Sequence, residues 1–349
     1  GELEYYVIRE EEALFFVTDQ RNYHQAEPFA KLGDFRREAM LAMAQCGGNL
    51  KYGHSEVGNF TQEGYVYEQN EIEFLPDTVE DAADQLIIAK WILRSLAYQY
   101  GVTITFAPKI TVGKAGSGMH IHTRLMKDGK NAMVGKDGLS DTAKKAIAGF
   151  LDLAASLTAF GNTNPTSYLR LVPNQEAPTN VCWGDRNRSV LVRVPLGWHG
   201  NVNMSAIANP KEPDTKIDFT DKQTVEFRSP DGSADIYLLL AGLAVAARHG
   251  LQMDKALDLA EKTYVDVDIF DEEHKSKAAN LEHLPASCVE SAKKLREKED
   301  VYRSYDVFPE SLLNDLAKNL ESFEDDHIRE EIEKEPEKLI QLMENYFHV

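Results

Sequence analysis

Acidic side chains recur at two-residue spacing in segments that alternate like β-strands. Glu2 and Glu4 fall on one face of such a strand, Glu71 and Glu73 on one face of another, and Glu226 shares its face with Arg228. Two carboxylates about 7 Å apart repel by roughly 2–3 kcal/mol at an effective dielectric of about 20. A pair at the surface sheds that repulsion into water. Glu2 and Glu4, however, lead straight into the apolar run Tyr5-Tyr6-Val7-Ile8. Convergence of several such strands calls for cations, and an oxygen-rich donor set suits Mg²⁺ or Mn²⁺ better than zinc.

The segment Gly116-Ser117-Gly118-Met119-His120-Ile121-His122 puts His120 and His122 on one strand face, opposite Ile121. It follows the strand-like Ile110-Thr111-Val112, a setting that in a dinucleotide fold opens a helix. Here the residues after the glycines alternate like a strand, which excludes that reading. A glycine loop that lets backbone approach a ligand, leading into two inward histidines, fits better. The pattern also fits two hydrogen-bonded structural histidines. Arginines gather at Arg170, Arg186, Arg188, Arg193 and Arg228, against the trend of an acidic chain. Guanidinium forks bind phosphate and carboxylate bidentately, although any single one of these also fits a surface ion pair. No GxxxxGK[ST] sequence occurs, so a nucleotide is held by another scheme. Carboxylates for divalent metals and arginines for phosphates together suit a Mg-ATP-dependent transferase or ligase.

The elements that must position these groups follow from period and punctuation. Helices are expected over 34–46, stopped by Gly47-Gly48; over 79–100, between a Thr78 cap and Gly101; from the Ser140 cap to about Phe160; and over 236–249, stopped by Gly250. Strands are expected at 2–8, 71–75, 103–106, 119–125, 189–194 and 224–228, with loops at 58–67 and 197–223. The strands are polar on one face, so an α+β fold with a largely antiparallel, curved sheet and one wet face is expected, and a doubly wound parallel sheet is not.

Composition sets the outer limits. The chain has 349 residues, 43% hydrophobic and 27% charged, with a formal net charge of −19. An acidic balance gives no basic footprint for nucleic acid or an anionic membrane, and no run of 18 apolar residues exists for a transmembrane helix. Residues 251–349 hold 26 acidic and 13 basic residues, so most of the excess lies in C-terminal helices expected to be solvated. Cys46, Cys182 and Cys288 form no CxxC, neither a disulfide framework nor a zinc site, and a cytoplasmic location is the expectation. The opening on a strand-like run suggests a domain cut from a longer protein, with Gly1 a cloning remnant.

In order along the chain, these segments resemble the catalytic domain of glutamine synthetases. Glu2-Leu3-Glu4-Tyr5-Tyr6 is similar to the family's PEPEFF strand, His54-Ser55-Glu56-Val57 to its HHEV, and Gln69-Asn70-Glu71-Ile72 to its GQxEI. Gly116 to His122 resembles NGSGMHxH, Arg170 to Pro178 resembles RLVPGYEAP, Arg186 to Ser189 resembles ARNRS, and Glu226 to Asp231 resembles ExRxPD. His283 to Leu295 is similar to the family's LPxSLxEAL segment, while the last thirty or so residues diverge.

The resemblance implies one domain over 1–349, with a sheet-and-helix core at 1–250 and an acidic helical part at 251–349. It implies ATP and two or more Mg²⁺ or Mn²⁺ ions, one held by Glu4, Glu56 and Glu71, the other by Glu2, His120 and Glu226. Arg188, Arg193 and Arg228 face the phosphates, with His122 also on the nucleotide side. Arg170 and backbone near Gly116 hold the amino-acid substrate, and Glu176 shields the intermediate and helps deprotonate ammonium. The implied reaction joins ammonia to the γ-carboxylate of glutamate through γ-glutamyl phosphate, in a ring-shaped homo-oligomer with active sites shared between subunits. Departures are Ala115 where the family has Asn, Thr224 where it has Arg, Asn174-Gln175 in place of Gly-Tyr, a longer 197–223 segment, and the absence of the small N-terminal β domain. They leave open a γ-glutamyl ligase for another amine, such as a polyamine, or a non-catalytic structural relative. They also imply little synthetase activity for residues 1–349 alone.

Overall fold

The computed structural model describes residues 1–12, 14–136, 138–172, 177–196, 204–211, 222–269, 272–274, 281–335 and 337–349. Its strands are β1 (Glu2–Glu10), β2 (Leu50–Gln62), β3 (Tyr65–Phe74), β4 (Thr103–Thr105), β5 (Met119–Thr123), β6 (Met126–Lys127), β7 (Lys130–Asn131), β8 (Val134–Gly135), β9 (Gly138–Leu139), β10 (Trp183–Asp185), β11 (Val192–Val194) and β12 (Val225–Phe227). β6–β7 and β8–β9 form two small hairpins. The other eight make one open sheet in the order β10-β11-β12-β5-β1-β3-β2, with β4 also paired to β1. Among the described strands, β10 and β11 are the one parallel pair. The expected α+β class and mostly antiparallel sheet are therefore what the chain forms.

The helices are α1 (Gly33–Gln45), α2 (Val79–Tyr100), α3 (Asp141–Asp152), α4 (Ala154–Gly161), α5 (Pro165–Arg170), α6 (Met204–Ala208), α7 (Ile236–Gln252), α8 (Ala256–Lys262), α9 (Cys288–Glu297), α10 (Glu299–Arg303), α11 (Glu310–Glu321), α12 (Ile328–Lys334) and α13 (Glu337–Tyr346). Alternation along β1 decides which side of the sheet they cover. Leu3, Tyr5 and Val7 are fully buried and belong, with Ile72 and Phe74 of β3, to the same core as Phe35, Ala39 and Met43 of α1 and Leu86, Leu93 and Leu96 of α2. Each such side chain contributes about 1.5–3 kcal/mol by leaving water. The even residues Glu2, Glu4 and Tyr6 are thereby turned to the opposite face.

α2 keeps its expected limits, with Thr78 Oγ accepting from the Asp81 N–H and Gly101 in the left-handed region at φ 65°. Three expectations are corrected. Residues 58–67 are not a loop: Glu63 and Gly64, with φ of 53° and 79°, make the tight turn of a long β2–β3 hairpin. The helix from Ser140 breaks at Leu153, whose carbonyl accepts from Ser156 Oγ at 2.8 Å. Ile110 to Val112 form bends and a turn, not a strand. Of the expected 197–223 loop, Met204–Ala208 is a short helix, and 197–203 and 212–221 lie outside the described residues.

Gly250 does not stop its helix, because α7 runs on to Gln252. It serves a helix crossing instead: a Cβ on Gly250 would stand 2.0 Å from Lys145 O, and one on Gly149 would stand 2.0 Å from Ala246 O. The C-terminal helices are less solvated than their charge suggests. Ile328, Ile332 and Leu339 are buried against Leu169, and Arg329 Nη2 donates to the carbonyls of Tyr168 and Leu171 at 2.9 and 2.6 Å. The acidic tail therefore braces α5, the helix that ends in Arg170. No single helix among the described residues is long and apolar enough to cross a membrane.

The glycine crossing makes opposed demands on Gly250→Ala. Helix propensity favours alanine by about 1 kcal/mol, whereas overpacking against backbone costs about 1–3 kcal/mol. The steric cost is expected to win, and thermal unfolding of the variant should show a lowered Tm. An unchanged or raised Tm would contradict the crossing.

Candidate functional site

The polar face of the sheet opens into a cavity of about 780 Å³. Strand register builds it. In the β1–β3 pair Glu2 lies opposite Glu73 and Glu4 opposite Glu71, so four carboxylates share one patch. On the other side of β1, Glu2 lies opposite His120 of β5, and His122 lies opposite Glu226 of β12. Arg193 of β11 then pairs with Glu226. Glu56 enters through an irregularity in β2: pairing jumps from Ser55–Asn70 to Asn59–Glu68, leaving residues 56–58 opposite Gln69 alone. Gly58 is required there, since a Cβ would stand 2.0 Å from Tyr6 Oη, and its N–H donates to Gln69 Oε1 at 2.9 Å.

Most of the residues singled out in the sequence meet in this cavity. Its wall includes the acidic and histidine groups Glu2, Glu4, Glu56, Glu71, His120 and Glu226 together with Gly116, Arg170, Arg188, Arg193 and Arg228. His122 stands behind the wall, with Nε2 2.7 Å from Glu2 Oε1 and Nδ1 2.9 Å from Thr224 Oγ. Arg186, whose φ is 53°, does not line the cavity. Glu176, with Asn174 and Gln175, lies outside the described residues. Glu73, His54, Gln20, Tyr23 and Lys114 also line the cavity and were not nominated. Glu73 had a legible signal in its two-residue spacing from Glu71; Gln20 and Tyr23 come from a segment with no period at all.

Burial turns the carboxylate patch into an electrostatic problem. Glu71 is held well above the ordinary carboxylate range, first by burial and then by the charges of Glu2, Glu4, Glu56 and Glu73. Glu2 goes the other way: burial opposes its charge, but His122 and His120 more than offset it and hold it well below that range. Glu73 meets Lys51 Nζ at 2.5 Å. Glu4 Oε2 accepts from the Gly118 N–H at 2.6 Å and from Gln69 Nε2 at 3.3 Å.

The donor atoms suit a hard divalent cation. Among the described residues, three groups have ligand atoms within 4.8 Å of one another: Glu2, Glu71 and His120; Glu2, His122 and Glu226; and His54, Glu56 and Glu71. Glu226 Oε2 is buried without a hydrogen-bond partner, although Arg193 Nε approaches it to 2.5 Å at an angle that makes no hydrogen bond. The Arg193 guanidinium is thus the counter-charge already beside this oxygen, and a divalent cation at Glu226 would share the carboxylate with it. Beside this patch, Arg228 Nε donates to Glu226 Oε1 at 3.1 Å, Arg188 lies over the Tyr23 ring at 5.6 Å, and Arg170 Nη1 donates to Ser229 O at 2.8 Å. Acceptors and guanidinium groups thus line the same cavity, with Arg193 and Arg228 in direct contact with Glu226.

Comparison with known proteins shows the family and the fold. The family model for the glutamine synthetase catalytic domain matches residues 2–335. The chain is 32% identical to the glutamine synthetase of Thermococcus kodakarensis, over 82% of this chain and 57% of that protein. It is 32% identical to that of Pyrococcus furiosus, over 91% and 66%, and 35% identical to that of Mycolicibacterium smegmatis, over 85% and 56%. The chain therefore spans 56–66% of the length of these relatives. Among solved structures, Plasmodium falciparum glutamine synthetase shares the fold with a TM-score of 0.68 at 19% identity, over 96% of this chain and 72% of that one. The GmaS/ADP complex shares it with a TM-score of 0.69 at 20% identity, over the same shares of 96% and 72%.

Glu71 carries a prediction about pH. Because folding raises its pKa, the stability it contributes is present below its ordinary value of 4.5 and is lost as pH rises through the folded value. In a chelator, Glu71→Gln should match the parent chain in Tm near that ordinary value and exceed it at pH 8. Saturating Mn²⁺ should reverse the order, since a cation binds the charged parent more tightly than a variant lacking this carboxylate. A variant less stable than the parent at pH 8 in chelator would contradict the assignment.

Proposed function

The chain belongs to the glutamine synthetase catalytic-domain family, and on that premise we propose that its full-length protein ligates ammonia to the γ-carboxylate of L-glutamate with ATP, giving glutamine, ADP and phosphate. The observation that supports this most is the convergence of six carboxylate and histidine donors and four arginines on the walls of one cavity. Glu4, Glu56 and Glu71 would hold one Mg²⁺ or Mn²⁺, and Glu2, His120 and Glu226 the other. When bound, these ions supply neutralisation of phosphate charge.

The rest of the work falls to the chain's own groups. Arg188, Arg193 and Arg228 face the phosphates and stabilise charge on the phosphoryl group as the bond from the terminal phosphorus to ADP breaks and one to the glutamate γ-oxygen forms. Arg228 is held for this by its bonds to Glu226 Oε1 and to the Arg188 carbonyl. Arg170 and the backbone at Gly116 hold the amino acid. Gly116 is needed because a Cβ would stand 2.5 Å from Pro108 O, and the Gly116 carbonyl is already engaged by Gln69 Nε2 at 2.9 Å. Ammonia nitrogen then attacks the carbonyl carbon of the γ-glutamyl phosphate and phosphate leaves from that carbon, with Glu176 taking a proton from the incoming ammonium. His122 acts through Glu2, which it holds ionised at 2.7 Å, and Thr224 fixes its other nitrogen. A ring-shaped homo-oligomer with shared active sites is part of the same proposal for the longer protein.

The test is turnover by the full-length protein with ATP, Mg²⁺ and glutamate, offering ammonia, hydroxylamine or a polyamine in turn. Ammonia-dependent release of phosphate with glutamine formation is expected. Arg228→Lys should lower kcat by about 10²–10³ with KM for glutamate little changed, as for loss of a donor aimed at transition-state charge. Product formed with a polyamine but not with ammonia would replace glutamine synthesis by ligation to another amine.

A further inference from the structure

We propose that His54 is a nitrogen ligand of the divalent cation at Glu56 and Glu71, a donor absent from the carboxylate set above. The inference rests on the metal reading of the cavity and adds a ligand to it. His54 is 7% exposed and lies opposite Glu71 in the β2–β3 register. Its Nδ1 is 3.1 Å from Ser55 O. A carbonyl oxygen only accepts, so Nδ1 carries the hydrogen of the neutral ring and Nε2 presents a lone pair. That lone pair faces Glu71 Oε2 at 2.8 Å. Two acceptors keep such a distance only with a proton or a cation between them.

The ring is built to hold this direction. His24 stacks on it with centroids 4.3 Å apart and planes 13° apart, and Tyr52 stacks at 5.2 Å and 24°. His24 is in turn fixed by its own N–H, which donates to the same Ser55 carbonyl at 2.9 Å. An imidazole with one nitrogen tied to a backbone carbonyl and the other aimed at carboxylates is the arrangement of a metal-ligating histidine. The spacing fits as well, since cis ligands with bonds of about 2.1 Å stand about 3 Å apart. Glu56 is the third member, its Oε1 3.9 Å from Nδ1 on the ring's other side, with one ligand atom from each of the three residues within 4.8 Å of one another. Glu73 is not a competing partner: its Oε1 is 3.9 Å from Nε2, and its Oε2 is engaged by Lys51. An imidazole donor biases this position toward Mn²⁺ or Zn²⁺ relative to an all-oxygen site, which suits Mg²⁺.

Pulsed electron paramagnetic resonance on the full chain loaded with Mn²⁺ tests this through directly bound nitrogen. Two inequivalent ¹⁴N couplings are expected in the parent, and both should change on labelling with ¹⁵N-histidine. His54→Gln should remove one and leave the other, which His120→Gln should remove. Direct titration should show Mn²⁺ affinity of His54→Gln lowered about tenfold with Mg²⁺ affinity changed less than threefold. The parent spectrum keeps the test decisive even if a variant fails to fold. A single nitrogen coupling in the parent, or a His54→Gln spectrum identical to it, would overturn the role of His54 while leaving the metal reading standing. Absence of any Mn²⁺ binding by the parent would overturn both.

Discussion

Like charges on adjacent strands are the constraint from which the rest of this structure follows. Glu4 faces Glu71 and Glu2 faces Glu73 across one antiparallel pair, with Glu56 and Glu226 close by. Directly opposite side chains start about 5 Å apart, where two charges repel by about 3 kcal/mol at an effective dielectric of about 20. Several such terms rival the net stability of a typical domain. The chain meets the problem with local partners, the His120 and His122 rings hydrogen-bonded to Glu2, Lys51 beside Glu73, and Arg193 and Arg228 beside Glu226. Glu71 is left without a full charge of its own to pair with, which is why burial and its neighbours drive its pKa up.

The opposite face supplies what holds this patch together. Leu3, Tyr5 and Val7 alternate with the acidic residues of β1, and their burial under α1 and α2 fixes the register that sets Glu against Glu. A slip of one residue would send the carboxylates into the apolar core, so the sheet resists rearrangement that would relieve the repulsion. The site is thus strained electrostatically and clamped hydrophobically, a condition that a bound divalent cation would relieve.

How much of this the sequence reveals depends on whether a residue's role is local. The strand faces of Glu2, Glu4, Glu71 and His120 are read directly from alternation, and the α2 limits from Thr78 and Gly101. Which strand lies beside which is a long-range fact, and only the seven motif resemblances hinted at it before the register showed Glu2 between Glu73 and His120. The β2 irregularity that delivers Glu56 has no period to read, and its polar residues Gly58, Asn59, Glu63 and Gly64 mimic a loop. Gly250 misled for a related reason: a glycine that permits helix crossing looks in sequence like one that ends a helix. Tyr23 and His24 reach the site from an irregular segment through ring contacts with His54, a dependence invisible to any local pattern.

The central claim is that the buried carboxylate patch is a divalent-cation site beside fixed arginines. Crystals of the full-length protein grown with Mn²⁺ and measured at the manganese absorption edge locate such ions without reference to activity. Two anomalous peaks are predicted in the cavity, one among Glu56, Glu71 and Glu4 and one among Glu2, His120 and Glu226, with Glu226 Oε2 turned to the second. A well-ordered cavity without anomalous density, its carboxylates paired only with Lys51, the histidines and the arginines, would contradict the account.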